Sequence, residues 1–313
     1  MRMRLLPLVV SLACVMATHT GEAARLKVAL TFDDLPINGG LAPGDKQSDY
    51  ARATVAVLKK HRVPPSYGFI NANKLERNSD GALALKTWVK GGHPLANHTY
   101  NHLDLTKNSV EDFQREILRN EPALSLLMPP DEFRGKHDSR WFRYPYLHEG
   151  DTLEKRRAVR AFLATEGYRI AQTTLDFEDY LWNGAHARCV GKKDEAAIRW
   201  LRETYLKAAT EMTPFQVGLS REVFGRDINH VMLLHLGSFS SHILPDLLVL
   251  LRKQGFEIVT LEEAQSDPIY GTDPDFPEAR GGTLVELLRQ SKGLAWPANA
   301  PTQPREQIAK ICQ

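Results

Sequence analysis

Leu26-Lys-Val-Ala-Leu-Thr-Phe-Asp-Asp34 is the stretch on which the reading of this chain turns. The apolar run from Leu26 to Phe32 has the length and Val/Leu/Phe content of a buried strand. It stops on two adjacent carboxylates. Charges at the end of a buried strand must be paired, bound to a metal, or titrated away from their ordinary state. A helix cap or a turn is the plainer alternative, since Pro36 and Gly39-Gly40 follow. The motif alone does not choose between them.

Outward from that strand, strand and helix signals alternate. A helix capped by Ser48 is expected to run to about His61. Strands are expected at Tyr67–Asn71, His93–Asn97, Arg140–Tyr146, Tyr168–Leu175, His230–Leu236 and Phe256–Leu261. Helices are expected at Leu83–Lys90, from about Ser109 to Leu127, at Thr152–Thr165 and at Ile243–Lys253. Between Asp194 and Thr210 the pattern is a clear amphipathic helix, with a second one near Arg221. Seven strands with helices between them argue an α/β parallel sheet. A closed barrel fits the count, and a doubly wound sheet is the alternative. No G-x-G-x-x-G or P-loop follows any strand, which counts against a nucleotide-binding sheet. Residues 24–266 read as one domain. Residues 267–313, rich in Pro and Gly, read as a wrapping tail with one helix at Thr283–Gln290.

The N-terminal residues 1–23 read as a signal peptide. Met1-Arg-Met-Arg4 is a basic start, Leu5 to Met16 is apolar, and small residues precede a cleavage point after Ala23. The segment is too short for an ordinary membrane span. Cys14 lacks a good lipobox, so a soluble exported protein, periplasmic or secreted, is expected, with no transmembrane anchor after cleavage. Cys189 and Cys312 are then the two mature cysteines. They could pair and tie down the tail; two separate thiols are the alternative. The formal charge of +2 in 313 residues offers no global attraction for nucleic acid or a membrane surface. Oligomeric state is not readable.

Four further groups could carry chemistry. Asn97-His-Thr-Tyr-Asn-His102 places two imidazoles at i and i+4, able to meet one ion if the strand end turns into a helical loop. With eleven His in the chain such a pair also arises by chance. Two His and one carboxylate make a common open metal site. Arg143 in Arg-Tyr-Pro-Tyr146 sits in an apolar stretch where its fork would seek a carboxylate. Asp176-Phe-Glu-Asp-Tyr180 closes the fifth strand, or is an acidic surface loop. His235 ends the apolar run Met232-Leu-Leu-His235; it is either a satisfied core histidine or a general acid raised by a carboxylate. Every group falls at the C-terminal end of an expected strand, the face on which parallel barrels build their sites.

The order T-F-D-D, H-T-x-x-H, R-x-P-Y, D-x-x-D-aromatic, L-x-H resembles the polysaccharide deacetylase family, the NodB homology domain or carbohydrate esterase family 4. The resemblance spans Leu26 to about Leu261 and implies a distorted (β/α)7 barrel. It implies a metal-dependent hydrolase removing N-acetyl groups from an N-acetylglucosamine polymer or oligomer. Carried over by position, Asp33 is the base and Asp34, His98 and His102 hold a divalent metal, zinc in the usual case, with cobalt or nickel as alternatives. Arg143 holds Asp33. The Tyr146 N–H helps bind the oxyanion, Asp179 pairs with the acid His235, and Leu233 lines the acetyl-methyl pocket. Tyr180 replaces the family's usual Trp, which alters a pocket wall. The implied partner is an acetylated glycan. Competing readings are an O-acetyl esterase on xylan-like glycan, a non-catalytic carbohydrate-binding barrel, and a metal-free C–N hydrolase of a small cyclic substrate. The last two sit poorly with a full set of ligand and catalytic positions.

Overall fold

The computed structural model describes residues 26–128 and 140–313. The expected signal peptide lies outside them. Strand β1 (Leu26–Leu35) is the axis of a parallel sheet ordered β5-β4-β3-β2-β1-β6, with β7 also on β1. The other strands are β2 (Gly68–Ile70), β3 (Leu95–Asn97), β4 (Arg140–Phe142), β5 (Tyr168–Ile170), β6 (His230–His235) and β7 (Phe256–Val259). One edge of β1 runs in register with β6, from Val28 opposite His230 to Asp33 opposite His235. The other edge is shared: Leu26–Ala29 pair with β7, then Phe32 and Leu35 with β2.

The sheet curls until the chain beyond β5 meets β6. Leu175 bridges Met232, and the Leu233 N–H donates to Leu175 O at 2.9 Å. That contact makes the architecture the expected distorted barrel of seven parallel strands and removes the doubly wound alternative. Most strands are shorter than expected. β4 stops one residue before Arg143, and β5 stops at Ile170. Inside, Phe32 packs edge-on against Trp88 with ring centroids 5.2 Å apart, both fully buried. Losing an indole from such a core costs about 3–5 kcal/mol.

The helices are α1 (Gln47–Lys60), α2 (Asn73–Arg77), α3 (Asp80–Lys90), α4 (Val110–Leu127), α5 (Leu153–Thr165), α6 (Tyr180–Lys192), α7 (Glu195–Phe224), α8 (Ser240–Lys253), α9 (Leu261–Ala264), α10 (Leu284–Ser291) and α11 (Arg305–Lys310). Helices α2 and α9 were not expected, nor was α11, which gives the tail a second helix beside α10. Three more differ in cap, continuity or presence. The cap of α1 is Lys46, whose N–H donates to Asp49; Ser48 lies inside the helix and bonds Asp80. The two helices expected between Asp194 and Arg221 are one, α7, with Pro214 inside it. Proline removes the bond to the carbonyl four residues back. Here that carbonyl, Thr210 O, accepts from Gln254 Nε2 at 3.3 Å, so the helix continues. Helix α6 was not expected: Asn183 and His186 are buried beside Trp182, Ala185 and Cys189, so no clean apolar stripe marks it.

The tail is part of the body. Cys189 and Cys312 form a disulfide, which settles the pairing left open by the sequence. Arg156, fully buried, bridges Glu149 and Asp273 at 2.6 Å each. Leu284, Val285 and Leu288 of α10 join Leu219 and Ile228 in a separate apolar cluster. Among the described residues no helix is long and apolar enough to cross a membrane.

Candidate functional site

At the C-terminal edge of β1 the two carboxylates part company. Asp34 has φ +67, in the left-handed region that non-glycine residues avoid. The reversal turns successive side chains into different surroundings. Asp33 lies opposite Arg143, whose Nη1 is 3.2 and 3.3 Å from its two oxygens. Arg143 is itself held on three sides. Nε donates to Ala171 O at 2.6 Å, Nη2 donates to Thr31 Oγ1 at 3.0 Å, and the guanidinium lies over the Phe69 ring at 4.6 Å. Burial still dominates at Asp33 and raises its pKa to about 6, against the lowering pull of Arg143 and His235.

Asp34 goes the other way. Burial would raise its pKa, but Lys74 and the neighbouring histidines outweigh that and hold the carboxyl well below the usual range. Asn38 Nδ2 donates to Oδ2 at 2.8 Å, while Oδ1 is buried with no hydrogen-bond partner. Oδ1 is 3.4 Å from His102 Nε2 and 4.0 Å from His98 Nε2. Lys74 Nζ stands 3.4 Å from the same oxygen and donates to Asp34 O and Ile37 O.

The histidines reach this point through a buried amide network. Asn97, at the end of β3, donates to Ile117 O and accepts from Asn120, and its Oδ1 also receives the Thr99 N–H. Asn71 Nδ2 donates to His98 O and Thr99 O. Thr99 and His102 then adopt φ +63 and +57, so the loop winds left-handed at two points rather than forming the expected helical turn. Such conformations cost about 1–3 kcal/mol each and persist only where neighbours impose them. His98 Nδ1 lies 2.8 Å from Arg143 O. A carbonyl only accepts, so Nδ1 carries the proton and Nε2 presents its lone pair. Burial lowers the pKa of both His98 and His102, which keeps them neutral.

One carboxylate oxygen and two imidazole nitrogens, all within 4.8 Å of one another, make a donor set that suits a divalent ion. Asp34 Oδ1, which has an ion pair with Lys74 but no hydrogen-bond partner, and the lone pair of the buried His98 Nε2 are what an ion would satisfy.

Across the cleft, His235 Nδ1 donates to Asp179 Oδ1 at 2.6 Å and the His235 N–H donates to Oδ2 at 2.8 Å. Both carboxylate oxygens are committed. Burial would lower the His235 pKa, but Asp179 outweighs it and the result is about 9. Asp33 and His235 are register partners on adjacent strands, so base-like and acid-like groups face one another over the sheet edge.

All ten residues singled out in the sequence lie in this region. Leu233, Tyr146 and Tyr180 line a cleft of about 960 Å³ with the groups above. Tyr146 is exposed and has φ +59; its ring meets His102 edge-on at 4.4 Å. Tyr180 meets His235 edge-on at 5.5 Å. The sequence reading missed Asn38, Lys74 and Thr31, and it missed the tail's share of the cleft. Asn38 follows Asp34 by four residues, a spacing that could have flagged it; Lys74 carries no such signal. From the tail come Gly281, Glu286, Trp296, Gln303 and Arg305. Gly281 approaches so closely that a Cβ would lie 2.2 Å from Tyr146 O. Arg305 pairs with Glu178, and Gln303 Nε2 donates to Phe177 O at 3.0 Å.

Comparison with known proteins points to a family. The family description "Polysaccharide deacetylase" matches residues 20–168. A chitin deacetylase from Arthroderma benhamiae is 26% identical over 153 residues, 49% of this chain and 35% of that protein. A peptidoglycan-N-acetylglucosamine deacetylase from Bacillus cereus is 25% identical over 170 residues, 54% of this chain and 50% of that protein. The solved structure of the chitin deacetylase from the fungal pathogen Colletotrichum lindemuthianum aligns over 77% of this chain and 88% of its own, with TM-score 0.51 and 21% identity. That likeness speaks to the fold. Over residues 20–168 the chain matches the polysaccharide deacetylase family. It spans half or less of the length of the first curated relatives it matches.

Proposed function

We propose that this protein is an exported, metal-dependent deacetylase that removes N-acetyl groups from an N-acetylglucosamine-containing polysaccharide or oligosaccharide. The observation that carries the reading is the contrast inside one cleft. A buried, half-unsatisfied Asp34 faces two imidazoles, and an Asp179 whose two oxygens both accept from His235 stands opposite.

Asp34, His98 and His102 would hold the ion. Zinc is the first choice and cobalt or nickel are alternatives; a bound ion would polarise the acetyl carbonyl and make a water molecule more acidic. The chain supplies the remaining chemistry. Asp33, with a pKa of about 6, is ionised at neutral pH and accepts the proton of the attacking water. Arg143 holds that carboxylate in place and has no rotational freedom left. His235, with a pKa of about 9, is protonated and delivers a proton to the leaving amine nitrogen, without which an amide C–N bond does not break readily. Asp179 fixes its orientation. The Tyr146 N–H meets the oxygen on which charge develops. Leu233 packs against the acetyl methyl, and Tyr180 walls the sugar side. The disulfide fits an oxidising compartment, as export would require.

Acetate release from chitooligosaccharides, poly-N-acetylglucosamine, peptidoglycan and acetylated xylan, before and after chelation, tests the reading. Release from the N-acetylated glycans that chelation abolishes supports it. Release from xylan alone would make the protein an esterase, and release from none would leave a binding module.

A further inference from the structure

Trp296 is the feature that the catalytic groups leave unexplained. It is half exposed, a large apolar surface left facing solvent, and it lines the same cleft as Asp33 and His235. It is not a loose side chain. Its indole rests edge-on against Phe215 of α7, with centroids 5.8 Å apart and planes at 70°. The backbone before it is pinned by Arg289 Nη2 donating to Ala295 O at 3.0 Å, and the backbone after it turns through Ala300 N–H to Pro297 O at 3.1 Å. Further along, Gln303, Arg305 and the disulfide fix the segment to the barrel. The ring is thus preorganised, and a ligand would not have to order it.

We propose that Trp296, seated on Phe215 beside Met212, is a stacking platform for a sugar ring one or more units away from the one being deacetylated. The proposal rests on the glycan reading of the cleft and names what its tail side does. A pyranose presents a face of C–H bonds that packs on an aromatic ring, and its hydroxyls need polar neighbours at the rim. Thr302 and Arg280 line the same cleft and are the polar side chains offered for that role. The cleft of about 960 Å³ lies at the upper end of the range for small-ligand sites, roughly 300–1,000 Å³. It has room for more than the one acetylated unit at the Asp33–His235 edge. This gives α7 and the tail, which lie beyond the residues the family description matches, a task in substrate binding.

The test is chain-length dependence. Affinity for N-acetylglucosamine oligomers of two to five units is measured by calorimetry, and KM by acetate release, for the wild type, Trp296→Ala and Trp296→Phe. Trp296→Ala is expected to weaken the tetramer and pentamer about tenfold, and the dimer much less. Trp296→Phe, which keeps a ring, is expected to recover most of that loss. Wild-type tryptophan emission should change on binding the pentamer, and that change should vanish in Trp296→Phe. Trp88, Trp141 and Trp182 are buried, Trp200 packs partly buried against the core, and none of the four lines the cleft, so none meets the ligand in this assay. Equal losses at every length, no loss at any length, or an emission change that survives in Trp296→Phe would each overturn the platform. So would a wild type that binds none of the oligomers. Binding and emission do not need turnover. A protein that binds with this length dependence yet releases no acetate therefore sinks the deacetylase reading and leaves the platform standing.

Discussion

The cleft has two carboxylate–histidine corners, and they are built on opposite plans. At Asp179–His235 both carboxylate oxygens and the imidazole Nδ1 are partnered, the carboxylate accepting two hydrogen bonds from one residue. At Asp34–His98–His102 one oxygen has no hydrogen-bond partner, the histidines are neutral, and the backbone is forced into left-handed conformations at Asp34, Thr99 and His102. At the first corner Asp179 raises the pKa of His235; at the second, one carboxylate oxygen and two imidazole nitrogens converge within 4.8 Å. Burial and charge are at work in both, and what separates them is backbone strain at one corner and how far the carboxylate's hydrogen bonds are filled.

The comparison is broken most completely by His98→Ala. It should lose bound metal, read by elemental analysis, together with all measurable acetate release. Asp33→Asn should lower turnover by about 10²–10⁴-fold while metal content stays at the wild-type level. Loss of metal there would mean that the two aspartates do not divide their roles. At the Asp179–His235 corner the effect is expected in the pH profile. The protonated form of His235 is the active one, and Asp179 raises its pKa, so wild-type activity should fall as pH rises through about 9. Asp179→Asn should move that limb toward neutral pH and lower the maximum rate by about 10²-fold. An unmoved limb would mean that His235 is not the acid. Asn38→Ala frees the second Asp34 oxygen, and metal affinity measured by chelator competition should weaken about 10–100-fold. The smallest effect on turnover belongs to Cys312→Ser. It should cost about 2–4 kcal/mol of unfolding free energy in denaturant and leave the rate constant of the chemical step near wild type.

The sequence made one class of feature legible and hid another. Asp33, Asp34, His98, His102, Arg143, Asp179 and His235 were readable because each ends or follows an apolar run that reads as a strand. A parallel barrel sends all its strand ends to one face, so five local signals became one site. The helix α6 was hidden because buried Asn183 and His186 interrupt its apolar stripe. Helix α7 looked like two because Pro214 normally breaks a helix. The compensating donor, Gln254, lies forty-four residues from Thr210, and no local pattern reports it. The tail wall was illegible for the same reason. Arg305 meets Glu178 and Gly281 meets Tyr146 across more than a hundred residues, and glycine and arginine in a Pro-rich stretch announce nothing about which surface they will touch.

Asp33 and His235 sit opposite one another in a continuous parallel ladder. Neighbouring strands in a sheet lie about 4.8 Å apart, whatever their side chains. The gauge between these two side chains is therefore set by backbone hydrogen bonds and belongs to the barrel itself. Loops and tail can be lengthened, shortened or replaced, and that gauge will not move. A single inserted or deleted residue within β6 is another matter: the ladder re-forms one step out, Leu234 or Leu236 arrives opposite Asp33, and the chemistry ends in an otherwise foldable protein. Evolution is thus free to redesign what this cleft holds, and held tightly to the two strands that do the holding.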